Sequence, residues 1–142
     1  MTDRATLEAL LARVLEGTGP DRELDAEIAK AFGWIERYEI WWPPEIVKLA
    51  RKRKRAIYNY KMYSLIQARR YTASLDAALT LVPDEKAWTV GQNVHHWYWS
   101  ASVNALDEDG APKSIGWGGP SNSPALALCA AALQARMEAL GE

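Results

Sequence analysis

The sequence predicts an α+β fold: a small three-stranded antiparallel sheet packed by helices, in the order helix–β–β–β–helix. An N-terminal helical hairpin and a basic helical insertion precede this core. Three observations lead there. Trp97, Trp99, Ala101 and Val103 alternate with His96, Tyr98, Ser100 and Ser102, the period of a strand. Leucines and alanines recur at helical spacing on both sides of that stretch. Between the two kinds of pattern stand turn formers, such as Asp107-Glu108-Asp109-Gly110. A length of 142 residues fits one domain, divided into a hairpin (1–33), an aromatic and basic insertion (34–70) and the core (71–142).

Each element has its own signal. Leu7, Leu10, Leu11 and Val14 share one helix face, and Gly17-Thr18-Gly19-Pro20 ends that helix. Asp21 opens a second helix with Leu24, Ile28, Ala31 and Phe32 on one stripe, and Gly33 is its natural stop. Trp34 to Trp42, aromatic and β-branched, reads as a short strand. Pro43-Pro44 interrupts the chain, and Pro44 is placed to start a helix. In that helix Lys48, Arg51, Lys52 and Arg55 form a basic stripe opposite Ile46, Ala50 and Ile57. Tyr58, Tyr60 and Tyr63 then either extend the helix or alternate as a strand.

In the core, Thr72 or Ser74 caps a helix in which Leu75, Ala78, Leu79 and Val82 share a face, closed by Pro83. Strands are expected from Trp88, over Val94–Leu106, and over Ser114–Trp117, the last ended by Gly118-Gly119-Pro120. Ser123 caps the final helix, with Pro124 in its first turn and Leu126, Cys129, Ala130, Leu133 and Met137 as its buried stripe. The small residues of these helices suit close packing on a sheet.

Charge is segregated along the chain. Between residues 46 and 75 stand nine lysines and arginines and no acid: Lys48, Arg51, Lys52, Arg53, Lys54, Arg55, Lys61, Arg69 and Arg70. With 17 basic and 18 acidic residues in all, the rest of the chain is strongly acidic, and the net charge of −1 conceals the division. The candidate partner-binding residues are Lys48, Arg51, Lys52, Arg55, Tyr58, Tyr60, Lys61, Arg69 and Arg70. Three readings stay open. The block contacts phosphates while the tyrosines stack on bases; it embraces an acidic protein surface; or it is a solvated face neutralised by the chain's own acids or by a second copy.

Other chemistry is weakly supported. His95 and His96 are adjacent on an expected strand and point to opposite faces, which hinders chelation of one metal. Cys129 lies on an apolar stripe, so a buried inert thiol is expected. Asp107-Glu108-Asp109-Gly110 lacks the bidentate glutamate of a calcium loop, and Gly116-Trp117-Gly118-Gly119 lacks the Lys-Ser/Thr of a nucleotide loop. No catalytic residue, cofactor or metal site is expected. Neither a secretory leader nor a membrane span is apparent, and a soluble, cytoplasmic protein is expected. Trp41 and Trp42 are expected to be half exposed beside the basic helix.

Two segments carry a family resemblance. Tyr71-Thr72-Ala73-Ser74-Leu75-Asp76-Ala77-Ala78-Leu79-Thr80-Leu81-Val82-Pro83 is one, and the helix from Ser123 to Arg136 is the other. With Gly19–Ala29 before them, they resemble the phage ABA-sandwich domain, a family of small phage and prophage proteins. The resemblance spans about residues 18–33 and 71–137. It implies a protein of a phage or its bacterial host with a layered helix–sheet–helix core, and it implies no reaction. The helix–three strands–helix order also matches double-stranded RNA-binding domains, but Ser121-Asn122-Ser123-Pro124 stands where those carry lysines. The expected function is a phage- or prophage-encoded non-enzymatic binding protein acting through residues 46–70, such as a modulator of a host or defence complex. An accessory nucleic-acid-binding protein is the alternative. Oligomeric state is left open.

Overall fold

A computed structural model describes residues 3–37, 40–44, 68–93 and 98–140. The expected basic helix from Glu45, the tyrosines Tyr58, Tyr60 and Tyr63, and His95, His96 and Trp97 lie outside these residues.

The N-terminal hairpin forms as its caps dictate. Helix α1 (Arg4–Glu16) starts at Asp3, whose side chain accepts from the Thr6 amide at 2.9 Å. The amide and hydroxyl of Thr6 hold the Asp3 carboxyl below the usual carboxylate range. Helix α2 (Arg22–Ala31) starts at Asp21, which accepts from the Leu24 amide, and it runs out at Gly33 with φ of +98°. Leu7, Leu10, Val14, Leu24 and Ile28 are buried, as their spacing predicts.

The stretch expected as one strand is two. Strand β1 (Ile35–Arg37) pairs antiparallel with β2 (Ile40–Trp42), matching Ile35 to Trp42. The core helix of the second half is also shorter than expected. Helix α3 (Leu75–Leu79) is capped by Ser74 rather than Thr72 and stops at Thr80. The Thr80 hydroxyl donates back to the Ala77 carbonyl at 2.6 Å, and Leu81 and Val82 follow in tightened i→i−3 turns. Both remain buried although they have left the helix.

The main sheet has the order β3-β4-β5, antiparallel throughout, from β3 (Ala87–Asn93), β4 (Tyr98–Leu106) and β5 (Pro112–Ser121). Asp107 closes the turn between β4 and β5: its carboxylate accepts from the amides of Asp109 and Ala111. Strand β5 does not end at Gly118-Gly119-Pro120 but runs through it to Ser121. This is an edge strand, where proline costs no ladder bond on its outer side. Ala101 and Val103 face the helices, while Thr89, Ser102 and Asn104 hydrogen-bond to one another on the opposite face beside an exposed Trp117.

Helix α4 (Pro124–Ala139) is the centre of the molecule. Every residue from Ala125 to Leu133 is buried, so the expected stripe is an apolar cylinder. One side rests on β5 and β4. A second layer, made by α1, α3 and Tyr71, covers the other. There Arg4 donates to the Met137 carbonyl and the Cys129 thiol donates to the Tyr71 carbonyl. On the sheet side the contact is backbone against backbone. A Cβ placed on Gly116 would overlap the Ala131 carbonyl oxygen, and one on Gly118 would overlap that of Ala127.

Gly116→Ala or Gly118→Ala should therefore lift α4 from the sheet and cost about 3 kcal/mol or more of stability. Gly19→Ala, where a Cβ meets nothing within 4 Å, should change stability by no more than about 0.5 kcal/mol. Urea unfolding of the three variants checks this contrast.

Candidate functional site

The described part of the predicted site is the base from which residues 45–67 depart and to which they return. Pro43 and Pro44 on the outgoing side and Arg69 and Tyr71 on the returning side line one pocket of about 140 Å³. Phe32, Trp34, Thr80 and Leu81 complete it. Gly33 shapes this corner: its positive φ turns the chain out of α2, and a Cβ there would sit 3.2 Å from the Pro44 ring.

Arg69 and Arg70 are both exposed. The Arg69 guanidinium lies 6.0 Å from the centroid of the Trp34 ring, at the outer limit of a cation–π contact. Trp34 itself is buried, so the cation rests on a fixed platform. The Arg70 carbonyl accepts from the amides of Ala73 and Ser74, which curls the backbone into the turn before α3. Trp41 and Trp42 are half-buried, as expected for the residues before Pro43-Pro44. Arg136 adds a second cation over an aromatic ring, 5.3 Å from Phe32 on the same corner. Of the nine candidate residues, the structure thus places Arg69 and Arg70. Lys48, Arg51, Lys52, Arg55, Tyr58, Tyr60 and Lys61 lie outside the described residues.

What holds this base in place is a buried polar cluster. Asp25, fully buried, accepts from the Thr72 amide and the Thr72 hydroxyl, each at 2.8 Å. Its other oxygen accepts from Arg22 at 2.9 Å, and Arg22 also donates to the Ala68 carbonyl. The Thr72 hydroxyl in turn accepts from the Asp21 amide. Every oxygen of the carboxylate is engaged, and the returning chain from Ala68 to Thr72 is bonded to α2 at each end. Sequence reasoning read Asp21 and Thr72 only as caps and did not single out Asp25. The available signal was its spacing: Asp25 falls three residues before Ile28, on the buried side of α2.

Cys129 is buried and reduced. Burial raises its thiol pKa far above the ordinary 9.0, and the negative charge of Asp25 raises it further. It is a packing group that holds the Tyr71 carbonyl, in line with its position on the apolar helix. Among the described residues no group of three or more His, Cys, Asp or Glu side chains is arranged to hold a metal ion. No helix among them is long and apolar enough to cross a membrane. No family model, curated protein or solved structure matches the chain.

Three outcomes follow. Asp25→Ala leaves the buried Thr72 amide without an acceptor and the Thr72 hydroxyl only the Asp21 carbonyl at 3.3 Å, and should cost about 3 kcal/mol in urea unfolding. Cys129 should react with a thiol reagent only as fast as the chain unfolds. Because its folded pKa is raised, the unfolded chain loses the proton first, and stability should fall as pH rises above 9.0. Cys129→Ala should flatten that alkaline slope while leaving stability flat with pH just below it.

Proposed function

We propose that this chain is a non-enzymatic binding protein of phage or bacterial origin, whose contact surface is the basic segment 46–70 with the aromatic corner at its base. The observation that carries this reading is Arg69, exposed and seated over the fixed Trp34 ring, with Arg70 next in the chain and the half-buried Trp41 and Trp42 leading into Pro43 of the same pocket. Arginine and tryptophan are the side chains that most often anchor interfaces, because each supplies a large contact area with a polar handle. Among the described residues, Asp25 is engaged by Thr72 and Arg22, and the buried Cys129 thiol by the Tyr71 carbonyl. An acidic surface on a host or phage protein is the complement of nine basic residues without an intervening acid. The resemblance to phage ABA-sandwich proteins supplies the setting, a small cytoplasmic modulator of a host or defence complex.

The second reading, an accessory nucleic-acid-binding protein, draws on the same corner. The half-buried Trp41 and Trp42 offer rings to stack on unpaired bases, and the exposed Arg69 and Arg70 offer cations to phosphates.

A chain carrying Arg51→Glu, Lys52→Glu, Arg55→Glu, Arg69→Glu and Arg70→Glu separates the two. In affinity capture from bacterial lysate, the unaltered chain should retain a protein with an acidic surface and the reversed chain should lose it. Retention of the same proteins by both chains rules this surface out. For nucleic acid, binding to a single-stranded oligonucleotide at low salt should weaken by about 0.7 log units per phosphate contact for each tenfold rise in salt. Absence of binding at low salt ends that reading.

A further inference from the structure

We propose that β3 is a self-association edge, along which two copies of this chain pair antiparallel about Val90 to make one six-stranded sheet. The order β3-β4-β5 leaves two edges, and they are built differently. The β5 edge is blunted in several ways. Pro112 and Pro120 offer no amide, and the Trp117 amide is taken by the Gln134 side chain at 2.9 Å. The β4–β5 register is also broken twice, at Trp99/Ala101 and at Val103/Asn104. These are the devices by which sheets refuse a further strand.

Strand β3 has none of them. Its sequence, Ala-Trp-Thr-Val-Gly-Gln-Asn, holds no proline and no charge, and its register with β4 is unbroken over all seven positions. Among the described residues, nothing but β4 hydrogen-bonds to the backbone from Ala87 to Gln92. A regular strand with one free row of amides and carbonyls is a template for another strand.

The side chains favour a second copy over an unrelated strand. A two-fold axis through Val90 brings any charge near the centre of β3 close to its own copy, where the two would repel. A quarter of this chain is charged, yet β3 carries no charge at all. With Val90 on the axis, Trp88 of each copy stands opposite Gln92 of the other. Both residues lie on the α4 side of the sheet, since Trp88 pairs with the core residue Val103. Helix α4 sits over β5 and β4 and leaves Trp88 43% exposed. In the pair, the two tryptophans fill the strip between the two α4 helices, and their indoles leave water. On the opposite face, Thr89 of each copy stands opposite Gly91 of the other, and among the described residues a Cβ at Gly91 would meet nothing within 4 Å.

Sedimentation velocity on the full chain tests this. A concentration-dependent monomer–dimer equilibrium is expected within roughly 1–100 µM. Trp88→Lys should weaken it by tenfold or more, with unchanged circular dichroism and melting as the check on folding. In a Cys129→Ala background, Val90→Cys should form a disulfide-linked dimer under mild oxidation. Leu106→Cys, exposed at the far end of β4, should not. The cross-link carries the test if Trp88→Lys does not fold. A chain that stays monomeric at about 100 µM, with no Val90→Cys dimer, overturns the proposal and leaves the edge to a strand of another protein.

Discussion

The close approach of α4 to the sheet is the constraint on which the rest depends. Helices ordinarily meet sheets through interlocking side chains, whose bulk sets the distance. Here the alanines of α4 face glycines of β5, and the spacing is set by backbone atoms. Two consequences follow. The helix is brought close enough for Gln134 to reach the Trp117 amide, which fixes its position along the strand. Its far side must then be covered as well, because a wholly apolar helix cannot present half its surface to water. The N-terminal hairpin and α3 provide that cover. Leu7, Leu10 and Leu24 of the hairpin meet Leu126 of α4 in a single core.

Much of this was legible in residue order, because local rules decided it. Asp21, Ser123-Pro124, Gly33 and the Asp107–Gly110 turn announce element ends by side-chain geometry that needs no distant partner. The stripe of Leu7, Leu10 and Val14 names its buried face by spacing alone. Where distant contacts decide, local reading went astray. Gly118-Gly119-Pro120 looks like the end of a strand by propensity, yet Gly118 is there because the Ala127 carbonyl passes over it. Thr72 looks like a cap, but its hydroxyl and amide serve a carboxylate forty-seven positions earlier in the chain. The Trp34–Trp42 stretch has strand composition and does form strands. No glycine or proline between Ile35 and Trp42 marks a division into two strands.

The candidate site divides along the same line. Charge counting finds a basic block without any knowledge of the fold, and it identified Arg69 and Arg70 as members. It has no means of finding Trp34 beneath Arg69, or the pocket that joins Pro43 and Pro44 to Tyr71. Those neighbours come from the fold of the scaffold, which brings the two ends of the basic stretch to one corner.

That corner has a meaning for how such a chain can change over time. Because Pro44 and Arg69 border one pocket, and Arg22 and Asp25 clamp Ala68 and Thr72, the framework holds the two ends of residues 45–67 together by itself. Between ends that are already joined, a change of chain length costs little, about 0.6 kcal/mol for each doubling. The contacts that hold the framework therefore do not depend on the length of the chain between Pro44 and Ala68. Changes of sequence there leave the glycine contacts under α4 as they are.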